Sequence, residues 1–152
     1  DTDQLGMELA LNLSKLSLNE IERHLSGDLG AGKTHLARSI ISNAEWQGVV
    51  KSPTYTLCEE YELDEFLFLH IDLYRTLEIE DIDIFNIDRK THKKKIIIIE
   101  WPENLLKKRS YDIKIKFNHL SSGREIEAYW KNQINFILKM ESQFIGYFYV
   151  QI

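Results

Sequence analysis

Eight consecutive residues, Gly27-Asp28-Leu29-Gly30-Ala31-Gly32-Lys33-Thr34, carry the strongest chemical signal in the chain. The glycines let the backbone curl so that successive N–H groups converge, and a helix opening near Lys33 adds its positive end; together these cradle phosphate. Lys33 supplies a cation for the β- and γ-phosphates of a nucleoside triphosphate, and the Thr34 hydroxyl suits a Mg²⁺ ligand. Two acids follow apolar runs further along: Asp72 after residues 66–71 and Glu100 after residues 95–99. Ligands of open α/β sheets sit beyond the carboxyl ends of the strands. Either acid is therefore a candidate to hold Mg²⁺, directly or through water, or to orient an attacking water. A carboxylate there can also be a mere solubilising strand terminus, but two of them beside a phosphate loop favour the metal and water role.

The other reactive side chains form no comparable pattern. His24, His35, His70, His92 and His119 lack metal-ligand spacing and Cys58 has no partner cysteine, so no zinc site is read. His70 precedes Asp72 by two residues and shares its side of the strand. That placement suits a hydrogen bond behind the site and equally suits a satisfied core histidine. Trp101-Pro102 reads either as a core anchor or as a group packed near the nucleotide.

The elements that must position these residues follow from periodicity. Leu5, Leu9, Leu13 and Leu16 predict an amphipathic helix over about residues 2–16. Residues 20–26 should form the strand feeding the loop, although Glu22, Arg23, His24 and Ser26 are polar where a central parallel strand is normally apolar. Leu36, Ala37, Ile40, Ile41 and Ala44 mark a helix face ending near Gly48. Ser52-Pro53-Thr54-Tyr55 reads as a loop, 56–63 as a strand, 64–65 as a turn, 66–71 as a buried strand, 81–87 as a short helix and 95–99 as another buried strand. Alternation of Ile113, Ile115 and Phe117 with Lys114 and Lys116, then of Ile126, Ala128 and Trp130 with polar residues, predicts an antiparallel hairpin turning at Ser121-Ser122-Gly123. The whole predicts one α/β domain, three-layered around a mostly parallel sheet and closed by that hairpin. Residues from Asn132 onward are apolar without a period that separates helix from strand.

Composition narrows the function classes. The 152 residues suffice for one domain, and 43% hydrophobic with 28% charged residues is ordinary for a globular chain. A formal charge of −5 argues against holding DNA or RNA by the surface field. The runs Lys93-Lys94-Lys95 and Lys107-Lys108-Arg109 read as solvated loop ends. No apolar run is long enough to span a bilayer and no secretory segment is read, so no membrane partner is expected. With a single cysteine, a cytoplasmic location is the expectation.

Taken together, these stretches resemble the TsaE family (also YjeE or YdiB), the ATPase of bacterial tRNA threonylcarbamoyladenosine biosynthesis. The resemblance rests on the phosphate loop, on Val50-Lys51-Ser52-Pro53-Thr54-Tyr55-Thr56-Leu57 with Glu59-Glu60-Tyr61, on His70-Ile71-Asp72-Leu73-Tyr74-Arg75, and on Ile99-Glu100-Trp101-Pro102-Glu103. It covers roughly residues 1–130, leaving 131–152 as an extension without counterpart. It implies an ATP- and Mg²⁺-dependent hydrolase working with the TsaB–TsaD pair and meeting tRNA only through that complex. Gly27, Asp28, Leu29, Gly30, Ala31, Gly32, Lys33 and Thr34 would hold the phosphates. Thr34 and Glu100 would ligate Mg²⁺, and Asp72 would be the essential acid near the γ-phosphate. Thr54 would sense that phosphate, Trp101 would lie beside the site, and Arg124 would reach the nucleotide. The polar segment before the loop and His35, where threonine is usual, depart from the family pattern.

Two other functions fit the same residues. In a small-molecule kinase, Asp72 would deprotonate an acceptor hydroxyl, but no arginine-rich lid segment is found. In a non-catalytic nucleotide-dependent adaptor, the polar strand would leave the loop poorly braced.

Overall fold

The computed structural model describes residues 1–75, 85–121 and 123–130. The chain forms helix α1 (Thr2–Leu11), strand β1 (Glu20–Gly27), helix α2 (Lys33–Asn43), strands β2 (Cys58–Glu62), β3 (Phe66–Asp72) and β4 (Lys94–Glu100), a single 3₁₀ turn (Pro102–Asn104), and strands β5 (Ile113–Leu120) and β6 (Gly123–Trp130). The six strands make one sheet in the order β2-β3-β4-β1-β5-β6. Strands β3, β4, β1 and β5 run parallel, while β2 and β6 pair antiparallel at the two edges. The mostly parallel α/β sheet and its terminal hairpin agree with the sequence. The region predicted helical over 81–87 lies largely outside the described residues, as does everything from residue 131 on.

Helices α1 and α2 cover one face of the sheet. Leu5, Leu9, Leu13 and Leu16 bury there with Leu36, Ile40 and Ile41 against Ile21, Leu25, Phe68, Ile96, Ile98, Ile113, Ile115 and Phe117. Each large aliphatic side chain removed from water there contributes on the order of 2 kcal/mol. Gly6 allows the close contact of the two helices, because a Cβ on it would lie 2.2 Å from Ser39 Oγ. On the opposite face Leu67, Leu69, Ile71, Ile97 and Ile99 pack under Ile87, Phe85, Trp101 and Leu105.

Element ends differ from expectation where side chains compete with the backbone. Helix α1 stops at Leu11, not Leu16, because the amide of Asn12 donates to the carbonyl of Glu8 at 2.9 Å and ends the regular ladder. Leu13 and Leu16 stay buried in the turns that follow. Helix α2 ends at Asn43, and Glu45 takes a left-handed φ of 73° just beyond it. The lysine run 93–95 is not solvated. Lys93 Nζ donates to the carbonyl of Leu63, Lys94 Nζ to those of Leu13 and Leu16, and Lys95 Nζ to those of Ile87 and Arg89.

The polar segment before the loop is a full central strand, hydrogen-bonded on one side to β4 and on the other to β5. Its residues alternate: Ile21, Arg23 and Leu25 face the helices, while Glu22 and His24 face the other side. Glu22 is held by the Arg109 guanidinium through contacts of 2.8 to 3.1 Å and by His24 Nε2 at 2.8 Å. Burial opposes its ionisation, but the bonds from His24 and Arg109 together outweigh that and hold its carboxyl below the ordinary glutamate value of 4.5. Arg109 also reaches Asp88 at 2.8 Å. The polar residues of the strand therefore meet charges that Arg109 and Asp112 bring to that face.

Arg23 is different. It is 1% exposed and points at α1, where Nη2 meets the Leu9 carbonyl at 3.4 Å. Among the described residues, Nε and Nη1 have no hydrogen-bond partner. Burial pulls its pKa down to about 10 despite the nearby Asp112.

Two stability measurements follow. Arg23→Met should raise unfolding free energy by about 1–3 kcal/mol in chemical denaturation, because it removes a poorly paired buried charge at similar volume; a loss of stability would contradict this. Arg109→Met should lower stability by about 3 kcal/mol at neutral pH by stranding Glu22. A depressed carboxyl stabilises the fold above its unfolded value and loses that contribution as pH falls through the folded value. The gap between wild type and Arg109→Met should therefore narrow below pH 4.5; a gap constant with pH would contradict it.

Candidate functional site

The carboxyl ends of three neighbouring parallel strands stand level. Leu25 on β1 pairs with Glu100 on β4, and Glu100 pairs with Asp72 on β3, so both acids emerge beside the loop that follows β1. That loop requires glycine where the backbone turns left-handed. Gly27 has φ 137° and a Cβ there would meet the Phe117 carbonyl at 2.6 Å, while Gly32, at φ 112°, is the N-cap of α2.

Around this edge lies a cavity of about 410 Å³ lined by Leu29, Gly30, Ala31, Gly32, Lys33 and Thr34 of the loop, Thr54 of the 52–55 segment, Asp72, and the pair Glu100 and Trp101. Thus the loop, both strand-end acids, Thr54 and Trp101 come together as the sequence suggested. Gly27 and Asp28 contribute carbonyls behind the wall: Lys33 Nζ donates to them at 2.5 and 2.8 Å. The same ammonium stands 4.0 Å from the centroid of the Trp101 ring. Burial lowers the Lys33 pKa, and the carboxylates of Glu100, Glu103, Asp72 and Asp28 work against that. Arg124 sits on β6 outside the cavity lining and donates to the carbonyl of Ala31 at 3.2 Å. It therefore meets the loop backbone itself.

Each acid is held by its own partners. Thr34 Oγ1 donates to Glu100 Oε2 at 2.8 Å. Thr54 Oγ1 donates to Asp72 Oδ2 at 2.8 Å and contacts Ser52 Oγ at 2.8 Å, while the backbone N–H of Tyr74 donates to Asp72 Oδ1 at 3.0 Å. Asp72 is thereby tied to the Ser52-Pro53-Thr54 loop, which precedes β2. Trp101 adopts a left-handed backbone, φ 57° and ψ 51°, a strained conformation for a bulky residue. Its N–H is fixed by the Leu25 carbonyl at 3.1 Å, which turns the indole toward Lys33.

Chemically, the arrangement combines converging loop N–H groups, one cation and an oxygen donor set. Among the described residues no three His, Cys, Asp or Glu side chains converge into a metal cage. A hydroxyl with free lone pairs beside one carboxylate suits Mg²⁺, which keeps several waters and takes its other ligands from substrate phosphates. Thr34 and Glu100 fit that description.

The expected site residues omitted three wall residues, His35, Tyr74 and Arg75, and one supporting residue, His70. Tyr74 stacks on Trp101 with ring centroids 5.0 Å apart, and Arg75 lies over the Tyr55 ring at 4.6 Å. Tyr74 and Arg75 both line the cavity. Their signal was available, since they directly follow Asp72 in one motif. His70 was read as a possible hydrogen-bond partner behind the site, and it pairs with Glu100, not with Asp72.

Comparison with known proteins supplies the family. The model of the family described as threonylcarbamoyl adenosine biosynthesis protein TsaE matches residues 1–126. A Haemophilus influenzae tRNA threonylcarbamoyladenosine biosynthesis protein TsaE is 38% identical over 128 residues, spanning 82% of this chain and 80% of that protein. The Borreliella burgdorferi protein of the same name is 34% identical over 110 residues, spanning 68% of this chain and 77% of that one. A crystal structure of Bacillus subtilis YdiB superposes with a TM-score of 0.52 at 23% identity, covering 83% of this chain and 78% of that chain, and supports the fold. With its phosphate loop, strand-end acids and matched length, the chain belongs to the TsaE family.

Proposed function

We propose that this chain binds ATP with Mg²⁺ and hydrolyses it in threonylcarbamoyladenosine modification of tRNA, acting with the TsaB–TsaD pair. The names of the relatives support the pathway. One observation carries the chemistry: Lys33, Thr34, Glu100 and the Asp72–Thr54 pair line a single cavity at the end of the parallel sheet.

The roles follow from those contacts. Loop N–H groups from Gly30 to Thr34 receive phosphate oxygens at the positive end of α2. Lys33, already anchored at the loop mouth on the Gly27 and Asp28 carbonyls, offers its ammonium to the β- and γ-phosphates. Thr34 and Glu100 would hold Mg²⁺, which neutralises charge developing on the phosphate oxygens during transfer. Asp72 keeps acceptor lone pairs toward the cavity while Thr54 and the Tyr74 N–H fix its plane. In this reading it orients a water for attack at the γ-phosphorus. Thr54 bridges Asp72 to Ser52, so the 52–54 segment responds to whatever occupies the γ-phosphate position. The negative net charge fits a protein that meets tRNA through its partners.

Two variants separate binding from turnover. Lys33→Ala should weaken ATP affinity by about 100-fold, the loss of two charge-assisted contacts, in a titration with a fluorescent ATP analogue; unaltered affinity would refute the phosphate-loop role. Asp72→Asn should retain binding within about threefold and lose hydrolysis by roughly 10²–10⁴-fold, read as phosphate release with the partner pair present and no small-molecule acceptor. Turnover at the wild-type rate would remove Asp72 from the mechanism.

A further inference from the structure

His70 lies on β3, next to the edge strand β2, level with Ile98 of β4, and is 0% exposed. Its Nε2 stands 2.7 Å from Glu100 Oε1. The other oxygen of that carboxylate, Oε2, receives the Thr34 hydroxyl at 2.8 Å. The three side chains thus form one chain of hydrogen bonds from the core of the sheet to the first turn of α2.

The imidazole is an expensive way to fill this position. Its Nδ1 is buried and, among the described residues, has no hydrogen-bond partner. An unpartnered buried nitrogen is unfavourable, and an aliphatic side chain would avoid that cost. A ring N–H at Nε2 donating to Glu100 Oε1 accounts for the short contact, and Nδ1 makes none. Among the described residues, the one polar contact the ring makes is with Glu100 Oε1. A carboxylate otherwise rotates about its last bond; with Oε1 pinned from the sheet, Oε2 is directed at Thr34 and the phosphate loop.

We propose that His70 is a positioning residue for the divalent cation: it orients Glu100 so that the Thr34–Glu100 donor set is preformed before Mg²⁺ arrives. This rests on the reading of Glu100 as a metal ligand. Groups behind metal ligands of this kind are typically worth about 10–100-fold in metal affinity.

The test compares affinity for a non-hydrolysable ATP analogue in EDTA and in Mg²⁺ for wild type, His70→Leu and His70→Gln. Wild type should bind more tightly in Mg²⁺. His70→Leu should lose about tenfold of that gain while its affinity in EDTA stays within twofold, and His70→Gln, which keeps an N–H donor, should restore most of it. A folded His70→Leu protein with the full Mg²⁺ gain overturns the proposal and leaves the metal reading standing. Equal losses for both variants in EDTA and in Mg²⁺ report a packing role and also overturn it. A wild type indifferent to Mg²⁺ removes the metal reading as well. If His70→Leu fails to fold, ¹⁵N imidazole spectra of the wild type decide. The His70 Nε2–H signal should move when Mg²⁺ is added to the nucleotide complex and stay still when nucleotide is added in EDTA; a signal indifferent to Mg²⁺ overturns the proposal.

Discussion

Leu25, Glu100 and Asp72 stand side by side in adjacent parallel strands, and the candidate site depends on that register. A slip of one residue in β3 or β4 would turn an acid to the opposite face, because side chains alternate along a strand. Phe68, Leu69, Ile71 and Ile96 to Ile99 are fully covered there, and the bonds from Thr34 to Glu100 and from Thr54 to Asp72 hold the two strand ends in this register. It also brings two buried carboxylates onto neighbouring strands, which is unfavourable unless each has its own hydrogen bonds. The structure supplies separate sets: His70 and Thr34 for Glu100, Thr54 and the Tyr74 N–H for Asp72. Because Thr34 comes from α2 and Thr54 from the 52–55 loop, the acids link the phosphate loop to the opposite wall.

The same constraint explains the composition of β1. A strand between two parallel neighbours needs no apolar run if the chain over one face brings complementary charge. The segment containing Arg109 and Asp112 does so: Arg109 binds the Glu22 carboxylate, while Asp112 Oδ2 accepts the Glu22 N–H at 2.8 Å. The polar residues therefore tie the segment after β4 to the strand that carries the phosphate loop. Bracing of Gly27 comes instead from β5, whose Phe117 lies in register with it.

The phosphate loop, both acids, Thr54 and Trp101 were legible in the sequence because each belongs to a short motif whose geometry is set locally or by a strand end. The pairing of His70 was not, since the same-strand spacing pointed toward Asp72 while the hydrogen bond crosses to β4. Arg124, expected to reach the nucleotide, donates to the Ala31 carbonyl, a contact fixed by how the β5–β6 hairpin lies against the loop and not readable from its own motif. The lysines at 93–95 looked solvated because composition cannot reveal that the carbonyls of Leu13, Leu16, Leu63 and Ile87 end within reach of their ammoniums. Periodicity likewise carried α1 through Leu16, since burial continues past the point where Asn12 ends the helix.

The central claim is that one cavity holds a nucleotide triphosphate and its cation between the phosphate loop and Glu100. Crystals grown with a non-hydrolysable ATP analogue and Mn²⁺ test it most directly through the anomalous signal of the metal. A single strong peak is expected about 2.1 Å from Thr34 Oγ1, facing Glu100, with the γ-phosphate toward Asp72 and Thr54. A nucleotide bound elsewhere, or a metal peak remote from both Thr34 and Glu100, would contradict it.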